Sequence, residues 1–350
     1  MSVKIFTDAG SNLFKKLLDE KKADITILPM SLDIDNVTYH CYSDDINVEE
    51  MSEEFYKKME NGMKPKTSLV SPGLFYEMVE EEVKKGNDVL YISLAESISG
   101  CYQSGVLMAS QINDEYKREA VKVLNSKTAS FGEGMMALYA YELAKKGHDL
   151  QKIYDLTLEY SDRVRSEFTV DTIKYLAQSG RASKITAVIS NVLSIKPLLY
   201  GSEEGRIEVT GKCHGRMNAL KTLANQVIQY IKDKDQLVYI AHCNAIEDAN
   251  KVKNFLNEAG INNIEIYFYD LITGAHVGPG TIAVFYEGTK RSFDKKGVID
   301  AVLNKFRKKD ENAEWCIKYW AWFHTWSYAF FIHLFISGFS LFLFCFIIIM

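Results

Sequence analysis

Short apolar runs rich in β-branched residues alternate along this chain with longer amphipathic stretches, and that alternation commits it to an α/β architecture. Val3-Lys4-Ile5-Phe6-Thr7 reads as a first strand and Ile25-Thr26-Ile27-Leu28-Pro29 as a second. Val89-Leu90-Tyr91-Ile92-Ser93 is a third, followed by a helix from near Gly100. Val121-Lys122-Val123-Leu124 is another strand, with helix from Met135 onward. Polar or glycine-rich turns follow these strands at their C-terminal ends, the edge at which open parallel sheets bind ligands.

A second region opens near Phe168-Thr169-Val170. A helix over Thr172 to Gln178 ends at Ser179-Gly180, with glycine as its C-terminal cap. An apolar helix, Ile185 to Leu193, precedes a strand at Lys196-Pro197-Leu198-Leu199-Tyr200. The turn Ser202 to Gly205 and the segment Arg206 to Val209 complete a hairpin. A long helix from Arg216 to Lys232 follows, then strands at Val238 to His242 and Ile264 to Tyr267 with a helix between them, and a closing strand at Thr281 to Phe285. The expected divisions are residues 1–165 as a parallel-sheet α/β domain and 166–290 as a mixed α/β domain. Residues 291–318 form a basic linker, and 319–350 a hydrophobic tail.

Composition narrows the function classes. A formal net charge of −5, with no basic stripe interleaved with aromatics, argues against nucleic acid as a partner. The six cysteines are scattered, without a Cys-x-x-Cys pair or zinc-finger spacing, as expected of unpaired thiols in a reducing compartment. The first ten residues enter a strand and turn directly, with no secretory pattern, so the expected location of the body is cytoplasmic. Tyr319 to Met350 contains no Asp, Glu, Lys or Arg and follows the basic run Lys305-Phe306-Arg307-Lys308-Lys309. Such a run is long enough to cross a bilayer with its basic flank in the cytoplasm. It reads either as a membrane anchor or as an extension outside the working fold, and the sequence leaves both open.

Four polar clusters sit at strand ends. Thr67-Ser68-Leu69-Val70-Ser71-Pro72 leads into a helix, where hydroxyls ordinarily serve as N-caps. Ser97 to Tyr102 is a strand-to-helix turn whose N–H groups suit an anion. Gly180-Arg181 places a cation after a helix end, and Gly274-Ala275-His276-Val277-Gly278-Pro279-Gly280 implies a tight loop where backbone approaches something closely. Familiar catalytic patterns fail. Gly205 to Lys212 has one residue too many for a phosphate loop, with Cys213 where Ser or Thr should stand. Gly-x-Ser-x-Gly, Gly-x-Gly-x-x-Gly after a strand and His-Glu-x-x-His are absent.

Taken in order, these clusters resemble the DegV family of fatty-acid-binding proteins, the lipid-binding subunits of bacterial fatty acid kinase. The matching elements are Thr7-Asp8, Thr67-Ser68 with Ser71-Pro72, and Ser99-Gly100-Cys101-Tyr102-Gln103-Ser104. Ser126 to Gly134, Leu176 with Gly180-Arg181, and Gly274 to Gly280 complete the series over about residues 3 to 288. The resemblance implies a two-domain DegV-like fold. It also implies a non-catalytic protein without cofactor or metal, which binds a long-chain fatty acid in a tunnel and presents its carboxylate to a separate kinase. By position, Thr67 and Ser99 would donate hydroxyl hydrogen bonds to that carboxylate, His276 would be a further contact, and Arg181 would support the network. Ile185 to Leu199 would supply tunnel wall.

Several positions depart from the family pattern. Asp8-Ala9 stands for Asp-Ser, Asn12 and Asn125 stand where Asp is common, and Cys101 replaces a Thr. His214, with Arg216 nearby, occupies the place of an Arg linked to kinase docking, which bears on partner recognition more than on ligand binding. Two other functions stay open on the residues alone: an acyl hydrolase with Ser99 as nucleophile and His276 as base, and a small-molecule sensor tethered by residues 319–350.

Overall fold

Residues apolar on both faces form the centre of a parallel sheet, because both faces of such a sheet are covered. In the computed structural model, which describes residues 2–41, 48–181 and 194–292, that sheet is built from β1, β2, β6 and β7. The first half of the chain runs β1 (Val3–Asp8), α1 (Lys15–Lys21), β2 (Ile25–Leu28), β3 (Met30–Ile34), β4 (Val37–Cys41), α2 (Val48–Glu60) and β5 (Lys66–Thr67). It continues through α3 (Pro72–Lys84), β6 (Asp88–Ser93), α4 (Cys101–Tyr116), β7 (Val121–Asn125), α5 (Phe131–Lys145) and α6 (Leu150–Ser161). The parallel order is β2-β1-β6-β7, and Val89 to Ile92 at its centre are completely buried.

A small antiparallel sheet, β4-β3-β5, stands beside it. Its hairpin turns at Asp35 and Asn36, whose φ values of 51° and 66° are those a two-residue type I′ turn demands. Leu32 of β3 pairs with Thr67 of β5, so this sheet fixes where Thr67 points.

The second half comprises β8 (Val164–Thr169), α7 (Lys174–Gln178), β9 (Ile195–Gly201), β10 (Ile207–His214), α8 (Arg216–Tyr230), β11 (Val238–His242), α9 (Ile246–Glu258), β12 (Ile264–Phe268), α10 (Leu271–Val277) and β13 (Ile282–Glu287). Its strands form one mixed sheet, β10-β9-β8-β13-β11-β12, in which β11 and β12 are parallel and the other pairs antiparallel. Period-two alternation separates its faces. Leu198, Ile240, Ile282 and Val284 pack into one core with Leu220, Leu223 and Val227 of α8 and Val252 and Leu256 of α9. Phe168, Leu199, Ala241 and Phe285 belong instead to the large core shared with the first sheet.

Helix α5 packs on β1 and on β8 and β13, which places it between the two sheets. Its sequence is apolar nearly all round, as a helix covered on every side requires. The same strand β8 carries a buried ion pair: Arg165 Nε donates to Glu167 Oε1 at 2.8 Å, and the Tyr286 hydroxyl donates to Glu167 Oε2 at 2.8 Å.

The chain divides into a unit of Met1–Phe293 and a unit of Asp294–Met350. The expected helix from Ile185 to Leu193, the linker beyond residue 292 and the hydrophobic tail lie outside the described residues. The parallel first sheet and the mixed second sheet agree with the expected fold class. One local expectation is corrected. Gly274 to Val277 is not a tight loop but the end of α10, capped by Asp270, whose Oδ1 accepts the Thr273 N–H at 2.6 Å. The close approach of backbone is nevertheless real, since a Cβ at Gly274 would lie 2.0 Å from the Tyr56 hydroxyl oxygen.

Candidate functional site

Between α10, β8, β13 and the turns that follow β5 and β6 lies a cavity of about 410 Å³. That volume is within the range of small-molecule sites. Its inner wall is largely apolar, with Leu94, Phe168, Leu176, Phe285 and Met30 contributing, all of them buried. Its rim is exposed at Ser68, Leu69, Gly100 and Arg181. Thr67, Ser99, Arg181 and His276, the four residues singled out from the sequence, all line this one cavity.

Thr67 ends β5, and its Oγ1 lies 2.9 Å from His276 Nε2. It is therefore not a helix cap; the N-cap of α3 is Ser71, which makes no side-chain capping bond. Ser99 sits just ahead of α4, and its Oγ accepts the Cys101 N–H at 3.3 Å. His276 reaches Thr67 rather than Ser99, so the nucleophile–base contact an acyl hydrolase needs is not formed by that pair.

Arg181 donates from Nε to the Ile98 carbonyl at 3.3 Å and from Nη1 to the Ser179 carbonyl at 2.5 Å. It thereby ties the end of α7 to the turn that carries Ser99. Gly180 before it has φ 74°, the left-handed conformation expected of a terminating glycine.

His276 has its pKa pushed down to about 4, first by burial and then by the positive charge of Arg181. The ring is accordingly neutral at neutral pH, able to donate from one nitrogen and accept at the other. Its placement depends on close packing around α10. Tyr56 donates to the Tyr269 carbonyl at 2.8 Å over Gly274, and the Tyr175 ring occupies the space beside Gly278, where a Cβ would come within 2.1 Å.

A buried polar layer supports the floor. The Asp8 carboxylate accepts from the Gly10 N–H at 3.0 Å, the Leu94 N–H at 3.2 Å and the Tyr91 hydroxyl at 2.8 Å. Glu133 Oε1 accepts from the Thr7 hydroxyl at 2.6 Å. Burial raises the pKa of both acids. Asn12 explains its own departure from the family pattern. Its Oδ1 accepts from the Ser130 hydroxyl and the Asp270 N–H, while Nδ2 donates to the Phe268 carbonyl at 3.0 Å. An aspartate there would lose that donation and bring a second carboxylate close to Asp270.

Sequence reasoning missed Ser166, Phe168 and Phe285 as cavity wall. Nothing local marks them, because each looks like an ordinary inward strand residue. Thr128 and Ala129, also cavity-lining, lie within the Ser126 to Gly134 segment but had no role assigned. Of the proposed tunnel wall from Ile185 to Leu199, residues up to 193 lie outside the described residues.

Residues 2–289 match the family described as "Uncharacterised protein, DegV family". A DegV domain-containing protein of Clostridium perfringens is 33% identical over 286 residues, covering 81% of this chain and 97% of that protein. Among solved structures, a fatty acid binding DegV family protein from Streptococcus agalactiae superposes with a TM-score of 0.71 at 26% identity, covering 81% of this chain and 98% of that one. A DegV family protein from Ruminococcus gnavus, solved with vaccenic acid, superposes with a TM-score of 0.70 at 24% identity, covering 81% of this chain and 99% of that one.

Proposed function

The chain belongs to the DegV family, and from that premise we propose that it binds one long-chain fatty acid in the cavity, with the carboxylate at Thr67, Ser99 and His276 and with Arg181 in support. The observation that carries this reading is the polarity of the cavity: four polar groups gather at an exposed rim, and the space behind them is walled mainly by buried apolar side chains. The fatty-acid ligands of the related solved proteins support it further.

The chemistry is economical. A carboxylate removed from bulk water is stable only when hydrogen-bonded or paired. With His276 Nε2 protonated, the ring donates to Thr67 Oγ1 and leaves the Thr67 proton free for the carboxylate. Ser99 Oγ already accepts from Cys101, so its proton is also free to point outward. Arg181 adds positive charge at the rim without being sealed away from solvent. Behind the rim, each methylene buried contributes about 0.8 kcal/mol.

In this reading the ligand lies between the lobes of residues 1–165 and 166–290. The protein performs no bond-making step itself. It presents the carboxyl group to a separate kinase, which transfers a phosphoryl group from ATP to give the acyl phosphate. Residues 319–350 would hold the body at a membrane, where the fatty acid originates; among the described residues no helix is long and apolar enough to span one.

Three measurements test these parts. Titration with stearate and oleate should give saturable binding at one site per chain, and absence of saturation rejects the reading. Incubation with ATP and a fatty acid kinase catalytic subunit should give acyl phosphate only when loaded protein is present. Fractionation of cells expressing the chain with and without residues 319–350 should move it from membrane to soluble fraction; an unchanged distribution rejects the anchor.

A further inference from the structure

The cavity is not apolar along its whole buried wall. Ser166 lies on β8 two residues before Phe168, so both side chains point to the same face, and both line the cavity with Phe285. Ser166 is only 9% exposed, and its hydroxyl has no hydrogen-bond partner among the described residues. Among the neighbouring cavity hydroxyls, Thr273 donates to Asp270, whereas Thr128 Oγ1 is, like Ser166, without a partner among the described residues, but it is turned against Gly132, where a Cβ would lie 2.2 Å from it.

The residue beside Ser166 on β9 is Gly201, and a Cβ there would fall 2.7 Å from Ser166 Oγ. Glycine at that position leaves the hydroxyl uncovered. Arg291 lies close by, with Nη2 at 3.9 Å from that same Cβ position. The residue is 3% exposed, and among the described residues its guanidinium donates to the backbone carbonyls of Ser126, Ser161 and Lys127. Among the described residues its Nε has no partner and no carboxylate forms an ion pair with it, although Asp162 and Glu203 act on its charge from further away. The buried wall of the cavity thus holds, among the described residues, a hydroxyl without a partner, with a guanidinium nearby that no carboxylate touches.

We propose that Ser166, with Arg291 behind it, forms a second polar subsite that takes an oxygen carried on the acyl chain, so that the preferred ligand is a hydroxy- or keto-substituted long-chain fatty acid. The proposal rests on the fatty-acid reading of the cavity and deepens it. A plain methylene chain laid against Ser166 leaves a buried hydroxyl unsatisfied, whereas a chain hydroxyl or keto oxygen completes its hydrogen bonding. Ser166 faces Phe285 in the β8–β13 register, on different elements from Thr67, Ser99 and His276.

The test uses the full chain and a positional series: stearate against hydroxystearates bearing the hydroxyl at different carbons, in direct titrations. One or two mid-chain isomers should bind roughly tenfold tighter than stearate, while isomers hydroxylated next to the carboxylate should not. Ser166→Ala should remove the preference, so that within this variant the favoured hydroxystearates bind no tighter than stearate. The positional comparison in the unmodified protein stands without any variant. Equal or weaker binding of every hydroxystearate, or a preference that persists in Ser166→Ala, overturns the subsite while leaving the fatty-acid reading intact. Failure of stearate itself to bind overturns the fatty-acid reading, and the subsite with it.

Discussion

Thr67 and His276 stand 209 residues apart in the sequence and share a 2.9 Å hydrogen bond at the rim of the cavity. The first comes from a two-residue strand held by β3, the second from the last turn of a seven-residue helix. Their meeting depends on the first and second halves of the chain packing together. A hydroxyl held this way is aimed before a ligand arrives, which lowers the ordering cost of binding.

Thr67→Val keeps the shape of the side chain and deletes its hydroxyl. A hydrogen bond to a charged partner contributes about 1.5–3 kcal/mol, so fatty-acid affinity should fall roughly ten- to a hundredfold, with a loss of about 1 kcal/mol in stability from the His276 nitrogen left unpartnered. Arg181 is exposed, and Arg181→Ala should weaken binding by no more than about fivefold, since solvent screens its charge. Displacement titration of a fluorescent fatty acid ranks the two; equal affinity of Thr67→Val and the unmodified protein contradicts the assignment.

Gly274→Ala should destabilise the fold although alanine is the better helix former by about 1 kcal/mol. The added methyl meets the Tyr56 hydroxyl at 2.0 Å, and Tyr56 is completely buried and cannot swing away. A loss of about 2–4 kcal/mol is expected in urea unfolding. Combining it with Tyr56→Phe, which removes the clashing oxygen, should recover part of that loss. An unchanged midpoint for Gly274→Ala would show that α10 is not packed in this way.

His242 gives a pH signature away from the rim. It is 4% exposed, its ring lies 4.6 Å from that of Phe268, and its Nδ1 accepts the Ala245 N–H at 3.3 Å. Burial pushes its pKa down to about 4 from the ordinary 6.5. The unfolded chain therefore binds a proton that the folded chain refuses between these values. The stability held by the neutral ring is complete above about pH 6.5 and is lost as pH falls toward 4. His242→Gln lacks this loss, so its deficit against the unmodified protein should be largest at pH 8 and shrink by about 2 kcal/mol by pH 5. A deficit independent of pH contradicts the assignment.

Arg165→Met should cost about 3–5 kcal/mol, because Glu167 is completely buried and would be left without its cation. Replacing both partners with apolar residues should recover most of that loss. A single substitution costing less than about 1 kcal/mol in chemical unfolding would show the pair to be unimportant.

Strands buried on both faces were legible because their apolar runs are continuous, as in β6 and β11. The small sheet was not, since β4 reads Val-Thr-Tyr-His-Cys and exposes most of its residues. That is why Thr67 looked like a helix-start hydroxyl rather than the end of a strand. Glycines misled at two helices for the same physical reason. Gly134 in α5 and Gly274 in α10 resemble loop residues, yet each is small because another chain segment presses on it: Ser11 O would lie 2.5 Å from a Cβ at Gly134, and the Tyr56 hydroxyl 2.0 Å from one at Gly274. Periodicity carries no record of such tertiary contacts. Ser166 is harder still, because what distinguishes it is its place on the cavity wall without a partner among the described residues of the folded chain.

The most direct test of the central claim is mass spectrometry of lipid released by denaturing freshly purified protein from bacterial cells. The account predicts a long-chain fatty acid at close to one per chain, and a marked loss of that lipid in Thr67→Val. Protein that releases no fatty acid, or the same amount with and without the Thr67 hydroxyl, would contradict it.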